Sequence, residues 1–260
     1  MLEVTRQGGV ARVTLNRPEL RNAFDDALIG KLKAAFDEIG QDKAVRVMVL
    51  AGNGPAFCAG ADLNWMKRMA GYGYDENLAD ARALAEMLAA LDRMPKPTIA
   101  RVHGPVFAGG TGLVAACDIA VGTPEAKFCL SEAKLGLSPA TISAYVMRAM
   151  GERMARRYFL TAEVFAAEEA FRIGMLSMLV AASELDTSIA SLVGHLLAGG
   201  PEAQGKIKAL IRTVAGRRAD DALVAETAKQ IAEIRGSPEG KEGIAAFLEK
   251  RKASWCSPRS

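Results

Sequence analysis

Three segments of the 260-residue chain combine small residues, turn formers and one carboxylate in ways that suit chemistry. The first is Ala59-Gly60-Ala61-Asp62, just after a strand-like run and a glycine turn. Small side chains let a ligand approach the backbone closely. Main-chain N–H groups at such a turn can donate to a developing oxyanion. An ordinary strand-to-helix junction with Asp62 as N-cap is the structural alternative. The second segment, His103-Gly104-Pro105-Val106-Phe107-Ala108-Gly109-Gly110-Thr111-Gly112, lies between a strand and a helix. Glycines at a helix N-terminus can hold an anion or a growing negative charge, or simply permit close helix–strand packing. Their spacing is not GxGxxG, and no GK[ST] follows, so neither the dinucleotide fingerprint nor the P-loop applies. The third is Ser131-Glu132, followed by Gly136-Leu137-Ser138-Pro139-Ala140-Thr141. Glu132 lies between Leu130 and Leu135, and a carboxyl in apolar surroundings holds its proton more tightly and can serve as acid or base. A helix-start residue near a positive dipole end is the alternative.

Other polar residues point more weakly. His103 at a strand end could touch a ligand or act as a structural donor. Asp118, inside an apolar run, must be paired if buried. Lys206, Lys208, Arg212, Arg217 and Arg218 read as a solvated basic face, with a phosphate partner as the sharper alternative.

Elements must position these segments. Leu2 and Val4, then Val10, Val13 and Leu15, predict a hairpin around Gly8-Gly9, with Asn16-Arg17-Pro18 ending the second strand. Asp25 can cap a helix reaching about Ile39, with Leu28, Leu32 and Phe36 on one face. Val45–Leu50 reads as a buried strand, stopped by the turn signal Gly52-Asn53-Gly54-Pro55. Residues 64–77 look mobile, 78–92 helical, Thr98–Val102 a strand, Gly109–Ala116 a helix and Ile119–Val121 a strand. This alternation predicts helices packed on largely parallel strands. Beyond residue 140 helical patterns dominate (140–149, 151–159, 163–173, 184–197, 202–215, 219–234 and 240–251), with Leu176–Val180 a late strand. Gly199-Gly200-Pro201 is the best linker, dividing an α/β core, 1–198, from a helical region, 199–260.

Composition narrows the function classes. Half the residues are hydrophobic and 24% are charged, which suits a folded core rather than a disordered chain. A net charge of +3 gives no reason to invoke nucleic acid. Cys58, Cys117, Cys129 and Cys256 form no CxxC pair and read as thiols of a reducing compartment. His103 and His195 are too far apart to suggest a zinc site. No secretory leader or 18-residue apolar run is visible, so a soluble cytoplasmic protein is expected, with no membrane partner.

Taken in order, the three segments resemble the enoyl-CoA hydratase/isomerase (crotonase) family. The resemblance runs from Asn16-Arg17-Pro18 with Asn22-Ala23 to Phe247-Leu248-Glu249-Lys250-Arg251. It implies the α/β crotonase (ClpP-like) fold, a core of repeated β-β-α units with a C-terminal helical region involved in trimerisation. It also implies a homotrimer or a hexamer of two trimers. No separate cofactor is implied, since coenzyme A arrives as part of the thioester substrate. Ala61 and Gly109 would supply the oxyanion-hole N–H groups and Glu132 the acid–base carboxyl. Arg21, Ala23, Ala59, Asp62 and Leu63 would line the coenzyme A path, and Phe247 and Lys250 could reach its phosphates, sometimes those bound to a neighbouring subunit. Typical hydratases of the family hold the attacking water with two glutamates. The second matches Glu132, but the first falls at Gly112. One carboxylate could make both proton transfers of hydration, or shuttle a proton between carbons, which is isomerase chemistry. A non-catalytic acyl-CoA-binding member is the alternative of another class. The runs Gly110–Ile119 and Leu135–Ser143 are also similar to bacterial hydratases acting on branched methylglutaconyl-CoA-type substrates of leucine degradation. Arg or Lys of residues 64–82, or Ser138, Thr141 and Ser143, could then face a distal carboxylate.

Overall fold

The computed structural model describes residues 1–256. Strands β1 (Leu2–Gln7) and β2 (Val10–Leu15) pair antiparallel across Gly8-Gly9, with Leu2 opposite Leu15. Helix α1 (Asp26–Gln41) begins where Asp25 Oδ1 accepts the Leu28 N–H at 2.8 Å, and it buries Leu28, Leu32, Phe36 and Ile39. The remaining strands of the main sheet are β3 (Val47–Gly52), β4 (Thr98–Val102), β6 (Ile119–Gly122) and β9 (Met178–Leu179). Its order is β1-β2-β3-β4-β6-β9, parallel from β2 onward. Every residue of β3 is buried, which is why its sequence runs apolar without alternation.

A second sheet of β5 (Pro105–Phe107), β7 (Lys127–Cys129) and β8 (Phe165–Ala166) was not visible in the hydrophobic pattern. Its strands are only two or three residues long, too short to show a period. The two sheets generate the β-β-α repeat. Strand β4 enters the main sheet, β5 the small one, and α4 (Gly109–Ala116) follows. Strands β6 and β7 repeat the step before α5 (Ser143–Thr161). A shorter version follows β3, where Cys58 bridges Val106 before α2 (Leu63–Met69).

Several expectations are corrected. Residues 64–77 are not one mobile stretch: α2 buries Trp65, and α3 (Tyr74–Arg93) begins at Tyr74. The glycines at 71 and 73 concealed two short helical signals. The span 163–173 opens with β8 before α6 (Ala167–Arg172). Helix α5 breaks at Gly151, with φ of 77°, as the gap between the two predicted helices required. Helices α7 (Leu185–Ala198), α8 (Pro201–Val214), α9 (Asp221–Gly236) and α10 (Pro238–Leu248) complete the chain. The last four residues of the region 199–260 lie outside the described residues.

Helix α8 does not present an all-solvated basic face. Lys208 is buried, 2.7 Å from Asp118 Oδ2, and it donates to Lys96 O at 3.0 Å. Asp118 also accepts from Thr98 N and Oγ1, so it has the structural role expected of it. Near the end of the chain, Arg46 donates to Leu197 O, Gly199 O and Trp255 O, while Trp255 Nε1 donates to Ala198 O. Among the described residues no helix is long and apolar enough to cross a membrane.

Candidate active site

Residues 21–24 and 59–62 lie side by side. Ala59 N–H donates to Arg21 O at 3.0 Å, Phe24 N–H to Gly60 O at 2.7 Å, and Asp62 N–H to Phe24 O at 2.7 Å. This ladder fixes the direction of the Ala61 amide. Gly60 C=O and Ala61 N–H belong to one trans peptide, so they point in opposite directions. With Gly60 C=O bound to Phe24, Ala61 N–H faces away from that segment. Ala61 N–H has no backbone acceptor among the described residues. Asp62 is the N-cap of α2, its Oδ1 accepting from Asn64 N at 2.8 Å and Trp65 N at 3.2 Å. The structural alternative for Asp62 is therefore correct, and it holds alongside the free amide one residue earlier.

Gly109 is the first residue of α4, so its N–H has no acceptor within the helix. A Cβ built on Gly109 would stand 2.6 Å from Phe24 Cε2 and 2.9 Å from its Cδ2, so only glycine fits. A Cβ on Gly60 would reach Ala108 Cβ at 3.5 Å. Phe24 thus serves both loops: its main chain carries the ladder to Gly60 and Asp62, and its ring abuts Gly109. Ala108 has φ of 44° and ψ of −116°, a conformation costing about 1–3 kcal/mol for a non-glycine residue. It is held by Ala108 N–H donating to Cys129 O at 2.8 Å, and Thr111 N–H to Ala108 O at 2.9 Å. Strand β7, which supplies Cys129, leads within three residues to Glu132.

Glu132 opens a short 3-10 turn, Glu132–Leu135, whose C-cap Gly136 N–H returns to Glu132 O. Its Oε2 is buried with no hydrogen-bond partner among the described residues. Burial pushes the carboxyl above the ordinary glutamate range, partly offset by its own backbone N–H. A buried carboxyl without the partner that would satisfy it can serve as an acid or base. Gly112 lies one turn into α4, and a Cβ there would stand 2.9 Å from Ile142 Cβ. Ile142 is 2% exposed, so the position that would carry a second carboxyl is filled from across the helix.

The structure brings Arg21, Ala23, Ala59, Ala61, Asp62 and Gly109 around Phe24. Arg21 is exposed, with φ of 51°, Ala23 is buried, and Leu63 stands 74% exposed at the start of α2. Phe247, 82% exposed, and Lys250, with φ of 54°, stand apart, on and just beyond α10, which packs chiefly on α9 and α8. His103 has the structural role, its Nε2 2.8 Å from Gly54 O. Cys58 is no nucleophile: burial pushes its thiol to about 12.

Sequence reasoning missed Arg17, Asn22 and Ile142. Asn22 Oδ1 accepts from Arg17 N, and its Nδ2 donates to Asn53 O and Ala56 O, pegging both loops. The Asn16-Arg17-Pro18 and Asn22-Ala23 motifs were visible, as a strand terminator and as the start of the family resemblance, but Arg17 and Asn22 were given no role. A separate cavity of about 600 Å³ at the far end of α4 is lined by Cys117, Asp118, Arg148, Lys208 and Arg212. Two of its cations are paired with carboxylates, Lys208 with Asp118 and Arg148 with Asp92, and Arg212 donates to the Asp92 carbonyl.

Two-sheet β-β-α units thus present backbone amides at Ala61 and Gly109 with no backbone acceptor among the described residues, and the turn after β7 carries a buried, unpartnered carboxyl oxygen, groups that can stabilise an oxyanion and move a proton. The model of the enoyl-CoA hydratase/isomerase family matches residues 5–258. A putative enoyl-CoA hydratase of Thermus thermophilus is 35% identical, over 96% of this chain and 98% of the relative. A crotonyl-CoA hydratase of Syntrophomonas wolfei is 32% identical, over 95% of each. The crystal structure of an enoyl-CoA hydratase from Shewanella pealeana superposes with a TM-score of 0.95 at 41% identity, covering 98% of this chain and 95% of that one. The chain belongs to the enoyl-CoA hydratase/isomerase family and is a hydratase-like enzyme on the crotonase fold.

Proposed function

We propose that the protein adds water across the double bond of an enoyl-CoA thioester, giving a 3-hydroxyacyl-CoA. One observation carries this reading: two amides without acceptors flank Phe24, and a buried, unpartnered carboxyl oxygen follows the strand that holds one of them. The thioester oxygen accepts from Ala61 N–H and Gly109 N–H. Glu132, ionised, takes a proton from water as the water oxygen bonds the β-carbon. The π electrons shift toward the thioester, and the enolate oxygen carries the charge between the two amides. Glu132, now protonated, delivers its proton to the α-carbon, and the enolate collapses. Water's two hydrogens end on the new hydroxyl and the α-carbon, and Glu132 regains its starting state. Donors aimed at that oxygen act most where charge grows, and one such donor contributes about 3–4 kcal/mol in other enzymes.

Double-bond isomerisation by the same residues is the second reading, favoured by Ile142 closing the Gly112 position. One carboxyl that removes a proton from one carbon and returns it to another needs no second carboxylate. Substrate details go further than these residues. A branched glutaconyl-type thioester would need a donor for its distal carboxylate. Of the candidates, Arg68 is paired with Asp26 and Ser143 Oγ donates to Ala140 O, while Thr141 is half-buried beside Ile142. Arg21, Ala23, Ala59, Asp62 and Leu63 are assigned to the coenzyme A path. Phe247 and Lys250 are assigned to its phosphates through a neighbouring subunit of a trimer or hexamer joined by the helices after residue 198. A cytoplasmic setting fits thiol-bearing metabolites.

The test is a substrate panel of crotonyl-CoA, a 3-enoyl-CoA and 3-methylglutaconyl-CoA, with water addition and double-bond migration followed separately. Net hydration that collapses in Glu132→Gln supports the proposal. Migration without hydration moves the assignment to isomerase. Tight coenzyme A binding with no turnover on any member refutes both.

A further inference from the structure

Arg17 stands outside the reacting cleft but binds both acidic residues that follow its key positions. Its side chain is 13% exposed. Nη1 lies 2.7 Å from Asp25 Oδ2 and 3.2 Å from Ala23 O, and Nη2 lies 3.4 Å from Asp62 Oδ2. Each carboxylate divides its oxygens. Asp25 gives Oδ1 to the N-terminus of α1, and Asp62 gives Oδ1 to the N-terminus of α2. Each gives Oδ2 to Arg17. Asp25 directly follows Phe24, and Asp62 directly follows Ala61. The guanidinium therefore ties together the ends of the two segments whose ladder sets the direction of Ala61 N–H.

We infer that Arg17 is a positioning residue of this active site, holding residues 24–25 and 61–62 in register so that Ala61 N–H stays aimed at the substrate oxygen. The inference rests on the hydratase reading above. The physical argument is one of shear. The Gly60–Ala61 peptide makes one hydrogen bond of its own, to Phe24, and takes its direction from the two flanking ladder bonds, so a slip of residues 24–25 against 61–62 would turn it. A planar fork that engages both flanking carboxylates opposes that slip, and a lysine, as a point donor, can reach only one well.

The experiment measures kcat and KM on the best enoyl-CoA for wild type, Arg17→Met, Arg17→Lys and Asp62→Asn. Each is assayed below its melting transition, with circular dichroism as the check on folding. Misplacing a catalytic donor by less than 1 Å is expected to lower kcat about 10–100-fold in Arg17→Met, with KM changed less than about twofold. Arg17→Lys should recover part of that loss. Asp62→Asn keeps an oxygen for the α2 cap but loses its charge toward Arg17, so a smaller fall in kcat is expected. Should Arg17→Met fail to fold, the other two variants decide. A kcat within about twofold of wild type in the folded variants overturns the inference, as does a rise in KM alone, which would make Arg17 a binding residue. Wild-type protein inactive on every enoyl-CoA is a different failure: it overturns the hydratase reading, and this inference with it.

Discussion

Gly112→Ala sets two effects of opposite sign against each other. Gly112 lies inside α4, where replacing glycine by alanine ordinarily stabilises a helix by about 1 kcal/mol. Here the added methyl would sit 2.9 Å from Ile142 Cβ, and closer still to Cγ2. Carbon atoms prefer about 3.5–4.0 Å, so the shortfall is roughly 0.6–1.1 Å at the Cβ alone. Ile142 is buried and branched at Cβ, which leaves it little rotamer freedom with which to yield. Overpacking of this kind costs about 1–3 kcal/mol, and two close atoms on a stiff side chain place this site in the upper half. The net expectation is a loss of about 1–2 kcal/mol. In an Ile142→Ala background the Cγ2 contact is gone and only the Cβ contact remains, so the two effects roughly cancel and the same substitution should be close to neutral. The double-mutant cycle should therefore show a coupling of about 1–2 kcal/mol, read from urea unfolding of the four proteins at neutral pH. A neutral or stabilising Gly112→Ala in the wild-type background, or additivity within about 0.5 kcal/mol, would refute the steric argument. The same reasoning says that Gly112→Glu cannot install a second carboxylate unless Ile142 is trimmed.

Glu132→Gln should lower turnover by about 10²–10⁴-fold while leaving coenzyme A affinity unchanged, as measured by steady-state kinetics and calorimetry. It should also stabilise the fold, in a pH-dependent way. Burial raises the folded-state pKa, so the folded protein resists ionisation. The penalty is absent below the unfolded glutamate value of about 4.3 and complete above the raised folded value. The urea midpoint of the variant should thus exceed wild type at pH 8 and converge with it near pH 4; equal midpoints at pH 8 would contradict the burial argument. Lys208→Met strands Asp118, which is partly exposed and keeps its Thr98 bonds, so a loss of about 2–3 kcal/mol is expected in the same assay. For the assembly proposed above, Ile244→Asp with Phe247→Asp places charge on the outer face of α10 and should shift the mass by light scattering toward the monomer; an unchanged mass removes that face from the interface.

The centre of the main sheet was legible because β2, β3, β4 and β6 are long and buried enough to appear as apolar runs, and α1 because Asp25 and the spacing of Leu28, Leu32 and Phe36 agree. The small sheet was not, since Pro105–Phe107 and Phe165–Ala166 carry too few residues to display any period. Helix α2 was hidden by its charged exterior: within Leu63–Met69 only Trp65 is buried. Glu132 could be singled out from its apolar neighbours, although not its unpartnered oxygen, which depends on packing around the turn. The amide at Ala61 could be suspected from small residues, but its direction follows from the bond between Gly60 and Phe24, 36 positions apart. Arg17 and Ile142 act through partners remote in sequence, and no local pattern identifies such residues.

Arg46 reaches Trp255 across 209 positions, so the corner leading into β3 is closed by a segment far along the chain. Contacts so distant along the chain slow the search for the native state. Cutting the chain before Trp255 would therefore be felt 209 positions away, as a loosened seam beside β3.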